Sequence, residues 1–100
     1  MEVIKNIDGD VLNVKIVGRL DAVTSAQFDK SMLESIEGVK KIVMDFQDLE
    51  YVASAGLRSL MMVQKKIEQK DGSMVIRNVQ AQVMEVLDMT GFDEILTVEK

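Results

Sequence analysis

Residues 42–60 read IVMDFQDLEYVASAGLRSL, and the fold can be predicted outward from this stretch. The short, unbroken apolar run Ile42–Met44 predicts a strand that is covered on both faces, as in a parallel sheet. Gln47–Val52 is expected to be a connection with a little extended character. Apolar residues then recur at helical spacing, which predicts a helix from about Ser54 to Lys70. A buried strand followed by an amphipathic helix is the repeating unit of an α/β domain.

A β-hairpin is predicted before this unit, at the N-terminus. The apolar stretches Val3–Ile7 and Val11–Val17 are separated by Asp8 and Gly9. An Asp-Gly pair between two such stretches favours a type I′ turn, because that turn needs positive φ at both central positions. Gly18 is expected to end the second strand.

A first helix is predicted to follow the hairpin. Thr24 is a candidate N-cap, and Gln27, three residues further on, would complete a capping box. Val23 and Phe28 occupy the two positions of a hydrophobic staple. Gly38 is the expected end of this helix.

The C-terminal part of the chain repeats the pattern of strand, helix and strand. Met74–Ile76 predicts a strand, Asn78 is a candidate cap for a third helix that closes at Gly91, and Ile95–Val98 predicts the last strand. The expected order is therefore β-β-α-β-α-β-α-β. These elements predict one α/β domain over residues 1–100, with a mixed sheet of about five strands and three main helices.

The composition argues against several classes of function. The chain has 100 residues, a formal net charge of −5 and neither cysteine nor histidine, so it lacks the ligands of zinc fingers and iron–sulfur sites and the base of a Ser–His pair. The negative charge disfavours nucleic acid as a partner, since that binding requires cations. No apolar run approaches the roughly 20 residues needed to cross a bilayer, so membrane insertion is not expected. The N-terminus lacks the pattern of a signal peptide, and a cytoplasmic location is expected.

The candidate functional site is the start of the second helix. Ser54 lies among the small residues Ala53, Ala55 and Gly56. Glycine in a first turn costs up to about 1 kcal/mol relative to alanine, which is reasonable if something must approach the backbone there. One interpretation is that Ser54 is an N-cap and Gly56 relieves a packing contact. The other is that the Ser54 hydroxyl accepts a phosphate, which the helix N-terminus would stabilise.

Three segments of the chain resemble the STAS family, the domains of anti-sigma factor antagonists and related regulators. They are a strand and turn followed by VASAGLRSL at residues 52–60, the Gly-x-Leu-Asp turn at residues 18–21 with Thr24 after it, and EVLDMTGFDEIL at residues 85–96. These segments span nearly the whole chain and fall in the family's order. The resemblance implies a single STAS domain that acts by binding, with no catalysis of its own.

The resemblance also implies a switch and its partners. Ser54 falls at the family's phosphoacceptor position, and Asp21 is the acidic residue expected close to it. An anti-sigma factor that is itself a serine kinase would phosphorylate Ser54. The unphosphorylated form would bind that factor and free the sigma factor, and a serine phosphatase would reset the cycle. Ala53 stands where the family often has aspartate, so one carboxylate beside the acceptor is missing.

Two other functions remain open: an unphosphorylated STAS scaffold subunit of a lipid-transport or stress-signalling assembly, and a sensor of small anions or nucleotides at the same helix N-terminus. Enzymatic activity is not expected, because the serine has no histidine partner and helical spacing places Lys65 and Lys66 about three turns away. No cofactor is expected, since the chain has no glycine-rich phosphate loop. No metal is expected either, since Asp45, Asp48 and Glu50 lack the spacing of an EF-hand.

A candidate partner-binding surface follows from helical geometry. The residues expected on the core face of the second helix are Leu57, Leu60, Met61, Val63 and Ile67. Arg58 and Met62 lie on a different row, which starts at Ser54, and Lys65 lies beside that row. This helix is basic although the protein as a whole is acidic. Arg58, Met62 and Lys65 are therefore the predicted partner contacts, and the sequence leaves the oligomeric state open.

Overall fold

The structure, a computed structural model, describes residues 1–99, in which five strands and four helices follow one another along the chain. The strands are β1 (Glu2–Asp8), β2 (Val11–Leu20), β3 (Lys41–Asp45), β4 (Leu49–Val52) and β5 (Ser73–Arg77). The helices are α1 (Ser25–Ile36), α2 (Ser54–Gln69), α3 (Ala81–Thr90) and α4 (Phe92–Ile95). None of the helices in this range is long and apolar enough to cross a membrane. The predicted α/β class is confirmed.

The sheet is mixed, as predicted. Its strand order is β1-β2-β3-β5, and β4 pairs with β2 outside this path. β1 and β2 form the predicted antiparallel hairpin. Because Asp8 pairs with Val11, the connecting residues are Gly9 and Asp10, and of these two only Gly9 has a positive φ, of 63°. The predicted type I′ turn centred on Asp8 and Gly9 is therefore wrong, because that turn needs positive φ at both positions. β2 pairs in parallel with β3 and with β4, and β3 pairs in parallel with β5. The carboxyl ends of β2 and β4 therefore lie side by side, and α2 follows directly from β4.

β2 is longer than predicted and changes partner part-way along its length. Val11–Lys15 pairs with β3, and Gly18–Leu20 pairs with β4. The register shifts between Gly18 and Arg19, and Gly18 has a φ of 103°, a conformation that favours glycine. The prediction that Gly18 ends the strand is therefore wrong. The extra residue at the register shift is Glu50 of β4, and β2 continues through Gly18 to Leu20.

The side chains of β3 alternate between a buried and a half-buried face. Ile42 and Met44 are fully buried, whereas Val43 between them is half-buried. The strand predicted to be covered on both faces is fully covered on one face and only partly covered on the other, because an unbroken apolar run does not distinguish that case from an alternating one. The buried face joins the helices in one core, through residues such as Phe28 of α1 and Leu60 of α2.

α1 begins at Ser25, but the predicted capping box and hydrophobic staple do not form. Within residues 1–99 the Thr24 side chain makes no capping hydrogen bond, and Val23 is 88% exposed instead of packed on Phe28. The reason is that Thr24 has a helical backbone, with φ −95° and ψ −14°, in place of the extended backbone of a typical N-cap. Asp21 organises this turn instead.

The C-terminal region differs most from the prediction. Ile95–Val98 does not form a strand: α4 occupies its start, and Val98 makes a single parallel bridge to Ile76. Asn78 does not cap α3, whose N-cap is Gln80, and adopts a φ of 60°. The fifth strand of the described sheet is β4, which was predicted to be a connection.

Candidate functional site

α2 begins at the edge of the sheet where β2 and β4 end. Val52 of β4 pairs with Leu20 of β2, and the Ala53 N–H donates to the Leu20 carbonyl oxygen at 3.0 Å. Ala53 is the N-cap, with an extended backbone, and its carbonyl oxygen accepts from the Leu57 N–H at 3.0 Å. Ser54 is thus the first residue of the helix, and it is exposed. The interpretation of Ser54 as the N-cap is wrong, and its hydroxyl is free to meet another molecule.

Gly56 is required by the close approach of β2 to the first turn of α2. A Cβ at this position would lie 2.6 Å from the Leu20 carbonyl oxygen, 2.8 Å from Leu20 Cγ and 3.0 Å from Val52 Cγ2. Separations this short force the chain to shift. The close contact that the sequence suggested at Gly56 is therefore made by the end of β2. Ala53 and Ala55 beside it are half-buried, which accounts for their small size.

Asp21 organises the loop that leaves β2. Its Oδ1 accepts the N–H of Val23 at 3.0 Å and the N–H of Thr24 at 3.1 Å. The Thr24 hydroxyl accepts the Asp21 N–H at 3.0 Å and donates to the Arg19 carbonyl oxygen at 2.9 Å. Hydrogen bonding from the Thr24 amide is the main cause that holds the pKa of Asp21 below its ordinary value, and desolvation opposes it only in part. Residues 21–24 are therefore held in one conformation by their own hydrogen bonds.

The strand register brings this loop alongside the start of α2. Because Leu20 pairs with Val52, the next positions along the two chains are Asp21 and Ala53. Ser54 follows Ala53 directly. The direct proximity of the Asp21 carboxylate to the Ser54 hydroxyl stays a prediction, but the two segments that carry these groups run side by side.

Arg19 and Tyr51 form an exposed pair on the same edge of the sheet. They are partners in the register of β2 and β4, and Arg19 Cζ lies 4.4 Å from the centroid of the Tyr51 ring. Arg19 Nε is also 3.6 Å from Asp21 Oδ2. Sequence reasoning missed this pair because it did not predict β4, the strand that brings Tyr51 opposite Arg19.

The outer surface of α2 carries the residues predicted to bind a partner. Arg58 and Lys65 are exposed, and Met62 is half-buried against the core. A shallow groove of about 360 Å³ is lined by Arg58, Met61, Met62, Lys65, Lys66 and Gln69. Met61 was predicted to be a core residue but is half-buried, because it lies at the margin of the core face. The structure thus brings the three predicted contacts together along one groove, and their role in binding stays a prediction.

Two polar residues on the core side of α2 were missed. Ser59 is 4% exposed and Gln64 is 7% exposed. Gln64 falls four residues after Leu60 and three before Ile67, so helical spacing could have placed it on the core face. Its Oε1 is buried and has no hydrogen-bond partner within residues 1–99. A buried polar atom in this condition lowers stability.

The acidic residues before the site are held by separate partners. Asp48 pairs with Lys15 at 3.0 Å, and Asp45 accepts the Asn78 side-chain amide at 3.2 Å. Asp48 raises the pKa of Lys15 above its ordinary value. The main cause is the hydrogen bond between the two side chains, and the second is the attraction between their opposite charges. In the part of the chain that the structure describes, no three acidic, histidine or cysteine residues are grouped so that they could hold a metal ion.

The class of protein is indicated by the mixed sheet and by the small residues at the start of α2, which lie beside the end of β2. The sequence profile of the STAS domain matches residues 2–100, and the chain belongs to the STAS domain family. BtrV of Bordetella bronchiseptica, an inferred anti-sigma factor antagonist, is 34% identical over 88 residues, which cover 88% of this chain and 70% of BtrV. The anti-sigma F factor antagonist of Paenibacillus polymyxa is 33% identical over 90 residues, which cover 88% of this chain and 77% of that protein.

Solved structures share the fold. TM1081 of Thermotoga maritima superposes with a TM-score of 0.90 at 22% identity, over 98% of this chain and 86% of that one. The unphosphorylated form of the anti-sigma factor antagonist SpoIIAA gives a TM-score of 0.77 at 15% identity, over 99% of this chain and 88% of that one. The phosphorylated form of SpoIIAA, from Bacillus, gives 0.76 at 16% identity, over 99% of this chain and 92% of that one. These likenesses establish the STAS fold.

Proposed function

We propose that this chain is an anti-sigma factor antagonist that binds an anti-sigma factor with serine kinase activity, and that phosphorylation of Ser54 switches this binding. The observation that carries the proposal is the position of Ser54, exposed as the first residue of α2. A hydroxyl at this place can enter a kinase active site without unfolding the domain. The descriptions of BtrV and of the Paenibacillus polymyxa relative support the class of partner.

The physical effect of phosphorylation at Ser54 is a change of charge on an intact fold. The first N–H groups of a helix are unpaired and carry partial positive charge, which favours a phosphate there. The phosphoryl group adds about −1.5 to −2 charges at pH 7. Arg58 lies one helical turn further on and is exposed. The phosphate would neutralise this cation or repel an acidic group of the partner, and either effect would weaken the complex.

The surface proposed to bind the partner is the groove of Arg58, Met62 and Lys65. Arginine and methionine are enriched in interface cores, whereas lysine is depleted there. A charge at the rim, as we expect for Lys65, mainly tunes association and its dependence on salt. The groove continues along the same helix from Ser54, so a protein that covers it would also cover the switch. The complementary partner surface is acidic with an apolar centre.

The remaining parts of the cycle follow from this role. The chain would act by binding and would catalyse no reaction, and a serine phosphatase would return it to the unphosphorylated form. Because the kinase needs ATP and sigma factors act on RNA polymerase, the proposed location is the cytoplasm.

The test is phosphorylation by the purified anti-sigma factors of the organism that encodes this chain. Each factor is incubated with the chain and Mg-ATP, and intact mass is measured. We expect wild type to gain one phosphoryl group, Ser54→Ala to gain none, and the control Ser73→Ala, which changes an exposed serine at the start of β5, to behave as wild type. A phosphate mapped to another residue would overturn the assignment of Ser54.

A second candidate function, an unphosphorylated scaffold subunit, is favoured by Ala53. The half-buried alanine leaves the acceptor without the neighbouring carboxylate of many family members. In this case the wild-type chain would bind its partner but gain no phosphate. Alanine at position 53 would be sufficient for binding, so that Ala53→Asp would not be required. Stabilisation by a nucleotide in the absence of any protein partner would instead favour a small-anion sensor.

A further inference from the structure

Val23 is an exposed apolar side chain in an unusual setting. At 88% it has the highest exposure of the large hydrophobic residues that are exposed in residues 1–99. Single exposed apolar residues are common and need no explanation by themselves. Val23 differs because the loop that carries it is held in place by hydrogen bonds and begins beside the switch serine.

Asp21 fixes the conformation of this loop, residues 21–24. One carboxylate oxygen, Oδ1, accepts the backbone N–H groups of both Val23 and Thr24. The Thr24 hydroxyl then ties the loop to β2 through the Arg19 carbonyl oxygen. The backbone around Val23 is thus held by hydrogen bonds, and its side chain is exposed to solvent. A loop whose backbone is already ordered loses less entropy when a partner covers it.

The surroundings of Val23 favour a protein partner with carboxylates. The loop leaves β2 in register with Ala53, immediately before Ser54. Arg19, stacked on the exposed Tyr51 ring, lies at the end of the same strand. Arg58 is exposed on the adjacent helix. Exposed cations on the same edge of the sheet and on α2, on a chain whose net charge is −5, fit a partner surface that is acidic with an apolar recess.

We propose that Val23 is an apolar contact for the anti-sigma factor and that Asp21 is a positioning residue, which presents Val23 beside Ser54 through the two N–H groups bound to its Oδ1. This inference rests on the proposed function and extends the binding surface from α2 to the β2–α1 loop. The occupant is the same anti-sigma factor that covers Ser54, because the loop and the start of α2 adjoin each other in the sheet register.

A different role for Asp21 makes a different prediction. If Asp21 acted through its negative charge on the Ser54 hydroxyl, then Asp21→Asn and Asp21→Ala would be equally harmful, since both remove the charge. If it acts through the loop, asparagine is tolerated, because its side-chain oxygen can accept the same two N–H groups. Alanine has no acceptor and would release the loop.

The first experiment measures affinity for the purified anti-sigma factors by isothermal titration calorimetry. We expect Val23→Ser to weaken binding roughly tenfold or more, since the contact of a buried valine is lost. The matched control is Ile7→Thr, which changes a 58% exposed side chain at the opposite end of β2's hairpin. It should bind as wild type. Equal affinity of Val23→Ser and wild type, with Arg58→Glu still impaired, would overturn the inference while leaving the proposed function intact.

The second experiment compares Asp21→Asn with Asp21→Ala. Amide hydrogen exchange at Val23 and Thr24, followed by NMR in the free protein, should stay slow in Asp21→Asn and become at least tenfold faster in Asp21→Ala. Affinity and the rate of Ser54 phosphorylation should follow the same order. Equal loss in the two variants would overturn the positioning role. Failure of every anti-sigma factor to bind wild type would overturn the proposed function and the Val23 contact with it, whereas the exchange rates would still decide the role of Asp21.

Discussion

The carbonyl oxygen of Leu20 occupies the space beside Gly56 that a side chain would need. A Cβ on Gly56 would lie 2.6 Å from this oxygen. The same oxygen accepts the Ala53 N–H at 3.0 Å. A single backbone atom of β2 thus sets both the position of the N-cap and the absence of a side chain two residues into α2. The end of β2 therefore positions the start of α2.

Gly56→Ala should therefore destabilise the protein. Alanine favours a helix by up to about 1 kcal/mol over glycine, but the clash with backbone is an overpacking cost of about 1–3 kcal/mol. We expect the clash to prevail, with a net loss of about 1–2 kcal/mol in the free energy of unfolding, measured by urea denaturation. The control is Gly38→Ala, where nothing lies within 4 Å of the added Cβ. If Gly56→Ala were as stable as Gly38→Ala, the contact would be wrong.

Phosphorylation of Ser54 should leave the stability of the fold nearly unchanged. The phosphate would sit at the unpaired N–H groups of the helix start, where negative charge is favourable. We expect the thermal midpoints of the phosphorylated and unmodified forms to agree within a few degrees, by differential scanning calorimetry. Ser54→Ala should cost less than about 0.5 kcal/mol, because Ser54 is exposed and does not cap α2. A drop of tens of degrees on phosphorylation would contradict the placement of Ser54.

Asp21 should contribute stability that is lost in acid. Its pKa in the folded protein lies below the ordinary value of 3.8, chiefly because of the Thr24 amide. Well above 3.8 the carboxylate is charged in both states and the contribution is complete. As the pH falls below 3.8 the unfolded chain binds a proton first, and the contribution disappears once the pH has passed below the pKa of the folded state.

The measurement is urea denaturation of wild type and Asp21→Asn from neutral pH to below 3.8. Wild type should lose more stability than Asp21→Asn over this range, because asparagine does not titrate. Identical pH dependence of the two proteins would show that the hydrogen bonds to Asp21 do not favour its charged form.

Arg58→Glu should weaken the complex with the anti-sigma factor. Reversing the charge of an interface arginine leaves two acidic groups facing each other, and we expect a loss of more than about 1 kcal/mol, or over fivefold in affinity. Lys65→Glu should mainly slow association at low salt, as expected for a rim charge. Surface plasmon resonance at two salt concentrations separates these effects. Lys41→Glu, an exposed charge at the start of β3, is the control and should bind as wild type.

Met62→Ala should affect both binding and stability to a small extent. Fully buried methionines cost about 2–5 kcal/mol when truncated to alanine, and Met62 is half-buried against the core. We therefore expect a loss of about 1 kcal/mol in the free energy of unfolding and a weaker complex. A loss of several kcal/mol with unchanged affinity would mean that Met62 is only a core residue.

The sequence predicted those strands and helices whose ends are determined by a few adjacent residues. The Asp8-Gly9 pair predicted the hairpin, although the turn itself is formed by Gly9 and Asp10. Helical spacing predicted α2 from Ser54, and Gly91 closes α3 with a φ of 78°. Each of these depends on a backbone conformation that a few adjacent residues decide. The position of Ser54 at the start of α2 was predictable for the same reason.

The features that were missed depend on contacts between distant segments. β4 has only four residues, with both ends buried and the middle exposed, and it is a strand because it meets the last residues of β2. Thr24 has the residue type of an N-cap, but its hydroxyl accepts the Asp21 N–H and donates to the Arg19 carbonyl oxygen, so it does not cap the helix. Ile95–Val98 has strand propensity, but a competing helix takes its first residue. Sequence pattern and secondary-structure propensity do not show which of two competing local structures will form.

The division of β2 between two neighbours makes β4 a side branch of the sheet. In residues 1–99, β1, β2, β3 and β5 form a continuous sheet, and β4 pairs with Gly18–Leu20 at the end of β2. Opening of this four-residue branch would separate the helix start from the loop while most of the sheet's backbone pairing persisted. An anti-sigma factor that needs both segments at once would therefore recognise only chains in which this branch of the sheet is closed.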